Sequence, residues 1–309
     1  MAPNRTEMLH DQAAGLDMLE PADVARRLAT AQCAAAGVVA GGAEALAAAA
    51  ELGAAALAGP GRLVYAGAGS SGLMALADAL ELPGTFGIDR ERVVVLFAGA
   101  PQTLNAMTGG AEDDVDLAAS DVGAAGIGPE DCVIAVSASG STPYTLAALK
   151  AAGARGARTI GIANNAGAPL LKAADAPVLL ATPPELLAGS TRMGAGTAQK
   201  IALNVLSTLI ALKLGHIHDG LMVNVTADNA KLRTRAVGIV ARLSGAGEPE
   251  ATDAIGRAGG SVKHAILIAA GAADRADAHA RLTRAGMRVR PALAGLTESS
   301  SSRHGGAKS

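Results

Sequence analysis

Apolar positions change their rhythm twice along the chain. Through the first 60 residues, Leu, Val and Ala recur three and four apart, the spacing of one helix face. The pattern predicts helices over Leu16–Ala29 and Ala31–Leu57, stopped by Gly59-Pro60-Gly61. Short, continuous apolar runs then take over, at Arg62–Ala66, Arg92–Ala98, Cys132–Val136, Thr159–Ala163 and Ala176–Leu180. Each runs into a loop of small or polar residues. Strands that do not alternate apolar and polar positions are covered on both faces. Helical patterns at Leu73–Leu82, Pro143–Ala152 and Ala168–Ala173 separate several of them. Repeated β–α units of this kind predict an α/β fold, a five-stranded parallel sheet between two helical layers. Beyond Ala195–Leu214, which reads as one packed helix, shorter helical patterns follow at Asn229–Leu243, Glu250–Gly259, Val262–Ala270 and Ala273–Ala285. The expected organisation is N-terminal helices (1–58) packed on an α/β core (59–228), a small all-helical domain (229–293), and a low-complexity tail (294–309) too polar to pack.

Composition narrows the possible partners. Only two Tyr and two Phe occur, with no Trp, in 309 residues. Modules that stack nucleic-acid bases need more rings than this. A formal charge of −2 provides no basic field for a polyanion or an anionic membrane. No apolar stretch reads as long enough to span a bilayer, and the polar N-terminus does not resemble a signal peptide. Cys33 and Cys132 lie in no metal-ligand or redox spacing and read as buried small hydrophobes in a cytoplasmic protein. No cofactor and no metal is expected. His216 and His218 read as cations at a helix end.

Two loops carry chemistry. Gly67-Ala-Gly-Ser-Ser-Gly72 follows a strand and opens a helix, matching the spacing of a dinucleotide fingerprint. The carboxylate that would hold a ribose is missing, because the second strand ends Phe97-Ala-Gly-Ala-Pro101. A smaller anion suits the loop better. Glycines let backbone N–H groups close on a phosphate at a helix N-terminus, and Ser70 and Ser71 add hydroxyls. Ser137-Ala-Ser-Gly-Ser-Thr142 occupies the same place after another strand, with Ser137, Ser139, Ser141 and Thr142 as candidate ligands. One such loop reads as helix capping. Two on neighbouring strand ends point to a phosphosugar.

The pair of loops resembles the sugar isomerase (SIS) fold, of flavodoxin-like topology. Further stretches narrow the resemblance: Ala79-Leu-Glu-Leu-Pro-Gly-Thr-Phe-Gly87, Gly110-Ala-Glu-Asp-Asp114, Gly189-Ser-Thr-Arg-Met-Gly-Ala-Gly-Thr-Ala-Gln-Lys200, Asn204-x-Leu-Ser-Thr208 and Val262-Lys-His-Ala-Ile266. Together they resemble the N-acetylmuramic acid 6-phosphate etherase family over roughly residues 6 to 293. That family opens the ether between a sugar's carbon 3 and D-lactate by elimination, then adds water. The resemblance implies Glu81 as general acid and Glu112 as base. It also implies a substrate contact from Ser190 and Arg192, a role in cell-wall amino-sugar recycling, and a homodimer with its active site near the interface.

Each glutamate also reads on its own. Glu81 sits in an apolar stretch, where burial would raise its pKa as an acid catalyst requires. Glu112 heads three adjacent acids, a pattern that usually marks a solvated helix start. Against the family pattern, cationic positions are neutral here at Leu73, Ser141 and Gly194. Thr6-Glu7 continues into Met8-Leu9, and Asn165 is followed by Ala166 rather than Pro. These changes keep two other readings open: an SIS isomerase or lyase acting on another phosphosugar, and a non-catalytic phosphosugar-binding regulator.

Overall fold

The computed structural model describes residues 5–105, 109–227 and 229–304, with side chains described through Leu296. Two compact units make up the chain. One comprises Met1–Leu80 and Glu91–Ile210, the other Glu81–Arg90 and Ala211–Ser309.

The first unit is built on a parallel sheet. Strands β1 (Leu63–Gly67), β2 (Val93–Phe97), β3 (Cys132–Ser137), β4 (Arg158–Ala163) and β5 (Ala176–Leu179) lie in the order β2-β1-β3-β4-β5. Every residue of β1 and β3 is buried, as continuous apolar runs require. The helices are α1 (Pro21–Gly37), α2 (Ala43–Ala58), α3 (Gly69–Phe86), α4 (Gln102–Asn105), α5 (Val115–Ala124), α6 (Pro143–Ala154), α7 (Pro169–Ala173) and α8 (Gly194–Lys213). The last turns of α3 and α8 fall in the other unit. Val64, Ala66, Val133 and Ala135 pack on α5, α6 and α7. On the opposite face α2 meets α8 and β1 so closely that a Cβ at Gly53 would lie 2.5 Å from Ile210 and 3.3 Å from Leu63. Small residues, abundant here, permit that approach.

Two expectations need correction. Pro21–Ala58 and Gly194–Lys213 are long and apolar enough to cross a membrane by length and composition alone, which the apolar-run count missed. In α8 much of that apolar character is packed: Ala195, Ala198, Ala202, Leu203, Leu206 and Ile210 are fully buried. Helix α1, by contrast, buries only Ala35. Cys33 lies on it and is exposed, while Cys132 is buried in β3 as expected. An Ala-rich helix has no polar face to reveal which side turns inward.

The second unit is mostly helical: α9 (Ala230–Ser244), α10 (Glu248–Arg257), α11 (Val262–Ala269), α12 (Arg275–Arg284) and α13 (Val289–His304), with a two-stranded antiparallel pair at Ile217–His218 and Leu221–Met222. Its core gathers Val223, Ile239, Val240, Ile266, Leu267 and Leu282. Side-chain caps set two helix starts. Asn229 accepts from the Leu232 N–H at 2.9 Å, and Asp274 from the Asp277 N–H at 2.9 Å. The unit begins earlier than residue 229, because the end of α8 and the Glu81–Arg90 segment belong to it. Helix α13 also runs through part of the stretch expected to be disordered, reaching His304; residues 305–309 lie outside the described residues. Apolar residues at its start, with Val289, Ala292 and Leu296 buried, anchor it.

Candidate active site

Strand order decides where the two loops meet. From β1 the chain moves to β2 on one side, then returns to β3 on the other. That reversal leaves a crevice at the carboxyl ends of β1 and β3, the usual ligand position in an open α/β sheet. Gly67, the last residue of β1, pairs with Val136 near the end of β3. The Gly67–Gly72 and Ser137–Thr142 loops are therefore neighbours. Gly69 takes a left-handed φ of 53° at the start of α3. Ser70 and Ser71 follow in the first turn, and neither hydroxyl is engaged by another described residue.

Glu112 joins this crevice. It ends a short 3-10 turn, Gly109–Glu112, which packs against α6. Its carboxylate lies against the first loop: a Cβ added at Gly69 would come within 2.6 Å of Oε1. Partial burial raises the Glu112 pKa, and the charge of Asp113 raises it further. The solvated helix start implied by three adjacent acids belongs instead to Asp114, which caps α5 by accepting from the Leu117 N–H at 2.8 Å.

Hydroxyls of the second loop form a network with one another. Ser137 Oγ lies 2.8 Å from Thr142 Oγ1 and accepts from the Gly140 N–H at 3.0 Å. Ser139 Oγ accepts from the Ser141 N–H and from Ser141 Oγ, both at 3.1 Å. Thr142 occupies the N-cap of α6, yet its side chain makes no capping bond. Simple helix capping does not account for this loop. Ser137 is buried and shapes it, whereas Ser141 is exposed at its rim.

Asn165 ties the N-terminal segment to the same loop. Its side chain donates to Ala138 O at 3.1 Å and to Thr6 Oγ1 at 3.3 Å, and accepts from the Arg5 N–H at 2.8 Å. Thr6 in turn accepts from the Gly189 N–H through its carbonyl at 3.1 Å. That bond holds the Ser190–Met193 segment, where Arg192 is exposed with no ion-pair partner among the described residues. The buried Glu185 carboxylate accepts from the Gly194 and Ala195 N–H groups at 2.9 and 2.8 Å, anchoring the start of α8. A side chain at Gly194 would begin 3.0 Å from that carboxylate.

Glu81 lies in the second unit, and its predicted apolar enclosure is absent. Consecutive helical residues point about 100° apart. Ala79 and Leu82 turn inward, while Glu81 is exposed beside Leu80, which is 69% exposed. Burial acts on Glu112 instead. Five residues after Glu81, the Phe86 carbonyl accepts from Asn224 Nδ2 at 2.9 Å and from the His216 ring. His216 is not the expected helix-end cation: burial, then the nearby Lys263, pushes its pKa down to about 4.

Sequence reasoning passed over one hub. Asp78 in α3 is buried and accepts from Tyr65 Oη at 2.8 Å, Asn204 Nδ2 at 2.7 Å and Ser207 Oγ at 3.0 Å. Lys200 donates to the Asn204 side chain. A lone acid in the apolar stretch Leu73–Leu80 was the available signal. Among the described residues no group of three or more His, Cys, Asp or Glu side chains is placed to hold a metal.

Comparison with known proteins bears on the fold and on the family. Residues 29–164 match the SIS domain model. A phosphoheptose isomerase from Francisella tularensis shares the fold, with a TM-score of 0.50 at 19% identity over 63% of this chain and 100% of that one. The N-acetylmuramic acid 6-phosphate etherase of Deinococcus radiodurans is 46% identical over 94% of this chain and 95% of its own length. That of Streptomyces avermitilis is 42% identical over 94% and 93%. Identity at this level, spread across both units and not confined to the shared sheet, means that the chain belongs to the N-acetylmuramic acid 6-phosphate etherase family.

Proposed function

We infer that the chain carries its family's activity, cleaving the D-lactyl ether of N-acetylmuramic acid 6-phosphate to N-acetylglucosamine 6-phosphate and D-lactate. The observation that carries the reading is Glu112, a carboxyl of raised pKa set against the first phosphate-type loop in a chain of this family. In the open-chain sugar the proton on carbon 2 is acidic beside the aldehyde. Glu112 removes it, and a carboxylate of raised pKa is the stronger base for the task. The carbon 3–oxygen bond then breaks, and Glu81 protonates the departing lactate oxygen. Water adds to the unsaturated intermediate. The hydroxyls of Ser70, Ser71, Ser139, Ser141 and Thr142, with loop N–H groups, hold the phosphate, and buried Ser137 keeps their loop in shape. Ser190 and Arg192 meet the lactyl carboxylate.

The test is to incubate purified protein with N-acetylmuramic acid 6-phosphate and assay D-lactate. No lactate from folded protein that binds the phosphosugar would sink the reading, and turnover of a different phosphosugar would favour the alternative raised by Ser141 and Gly194. Glu112→Gln should abolish solvent deuterium exchange at carbon 2. Glu81→Gln should keep exchange and lose lactate release.

The same reading makes the protein a cytoplasmic homodimer serving cell-wall amino-sugar recycling. Support for the dimer comes from the first unit. Helix α1 leaves most of its apolar length uncovered and borders an open cleft of about 850 Å³ lined by Leu9, Leu16, Val24, Leu28 and Leu187. Light scattering on the full chain checks this, and a monomer at working concentration would overturn it.

A further inference from the structure

Lys263 has no evident task in the second unit. The residue is 2% exposed, yet no described residue gives it a hydrogen bond or an ion pair. Holding an ammonium away from bulk water without an acceptor is unfavourable, and burial lowers the Lys263 pKa to about 8. Its surroundings are basic as well. Lys263 acts electrostatically on both His216 and His264, and His264 is further influenced by His279 and Arg275. No carboxylate contributes to the environment of any of these three groups, Lys263, His216 and His264.

The backbone at this point adds donors. Lys263 is the second residue of α11, which follows Gly259, Gly260 and Ser261. Ser261 is the N-cap, but its hydroxyl does not cap the helix; it pairs with His264 Nδ1 at 2.7 Å. The first-turn N–H groups of α11 therefore lack a side-chain acceptor, at the end of the helix that favours negative charge. The Cα–Cβ bond of Lys263, in this first turn, tilts back toward that same end. His264 Nε2 is occupied by His279 Nδ1 at 3.3 Å, with the two rings stacked. The guanidinium of Arg275 lies over Gly259, where a Cβ would meet Nη1 at 2.8 Å. One acceptor is also unused. His216 donates its ring N–H to the Phe86 carbonyl, leaving Nδ1 buried without a partner.

We propose that the second unit carries an oxyanion site at the start of α11, built on Lys263 with the first-turn N–H groups, beside His216 and Arg275, and that it takes a phosphate group. A singly protonated phosphate satisfies both deficits. Its anionic oxygens accept from Lys263 and the helix N–H groups, and its O–H donates to His216 Nδ1. The phosphate can be free or attached to a sugar, and the chemistry at the site is the same.

The chain has six histidines, so ring NMR signals of the full-length protein report on this site separately from the serine loops. Titration with inorganic phosphate should shift the His216 and His264 signals, identified by His216→Gln and His264→Gln. In Lys263→Met those shifts should need at least about tenfold more phosphate, the cost of one charge-assisted hydrogen bond. Lys263→Arg should retain most of the response and guards against a Lys263→Met chain that fails to fold. If N-acetylglucosamine 6-phosphate shifts the signals at lower concentration than inorganic phosphate, the site takes the sugar's phosphate; the reverse order marks a free-phosphate site. Signals that ignore both compounds, that respond equally to N-acetylglucosamine, or that respond unchanged in Lys263→Met would overturn the proposal. Binding is read directly, so the result stands apart from whether D-lactate is released.

Discussion

Gly69→Ala is the sharpest single test of how the first loop positions the base. The substitution does two things. It places a side chain at φ 53°, which costs roughly 1–2 kcal/mol for a residue other than glycine. It also sets a methyl 2.6 Å from Glu112 Oε1, so the carboxylate has to retreat by about 0.8 Å to reach the 3.4 Å of ordinary contact. A reacting group displaced by about 1 Å loses on the order of a hundredfold in rate, so kcat should fall roughly ten- to hundredfold. Gly126→Ala separates the two effects. Gly126 has a similar φ of 60°, and a Cβ there meets nothing within 4 Å. Both variants should lose similar stability in urea, and only Gly69→Ala should lose activity. D-lactate release under saturating substrate, together with deuterium exchange at carbon 2, provides the readout. If Gly69→Ala keeps kcat within about twofold of the parent while unfolding like Gly126→Ala, Glu112 is not held by this loop in the way described.

Other expectations follow from the same coordinates. The acid limb of kcat/KM should lie above the ordinary glutamate value of 4.5, because activity is lost as falling pH protonates a Glu112 of raised pKa; a limb at or below 4.5 would contradict its role as base. Lys263→Met should stabilise the protein in phosphate-free buffer. Burial lowers Lys263 from 10.5 to about 8, so the penalty of charging it is fully present below pH 8, amounts to at most about 3 kcal/mol, and vanishes above about 10.5. A gain in melting temperature at pH 7 that shrinks toward pH 10 is the expected signature. Asp131→Ala should cost about 1.5–3 kcal/mol in urea unfolding, since it removes the carboxylate that Arg62 meets at 2.8 and 3.1 Å while the partly exposed guanidinium keeps the Ala125 and Gly126 carbonyls. Burial alone would raise the Asp131 carboxyl, but bonds from Arg62 and Gly128 outweigh it and hold its pKa below the usual range. The stabilisation is therefore complete above about pH 3.9 and lost as pH falls through the lower folded value, visible as a later acid transition in the parent than in the variant.

Much of the fold was legible because it rests on local rules. Continuous β-branched runs announce strands buried on both faces, and β1 through β5 form where those runs lie. Glycine and serine after β1 and β3 announced the two loops, and sheet order then made them neighbours. The local chemistry of Glu81 and Glu112 was harder to read. Ala79 and Leu82 suggested an enclosed Glu81, but a helix presents successive residues to different sides. Three adjacent acids suggested a solvated Glu112, but a turn before the helix directs it toward Gly69. Helix α1 shows the same limit in another form. Its Ala-rich sequence gives no contrast between faces, so its exposure appears only in three dimensions.

By itself, the sequence determined the five strands, most of the helices, the parallel sheet, the two phosphate-type loops and the resemblance that named both glutamates. All of these depend on residue type and on spacing along the chain. Tertiary structure alone decided which carboxyl is desolvated, how Asn165 ties Thr6 to the second loop, why Asp78 is buried among three donors, and that Lys263 lies in the interior without an acceptor. Burial and pairing depend on groups far apart in sequence, and the energy of a charge or a hydrogen bond is set by what surrounds it rather than by what precedes it.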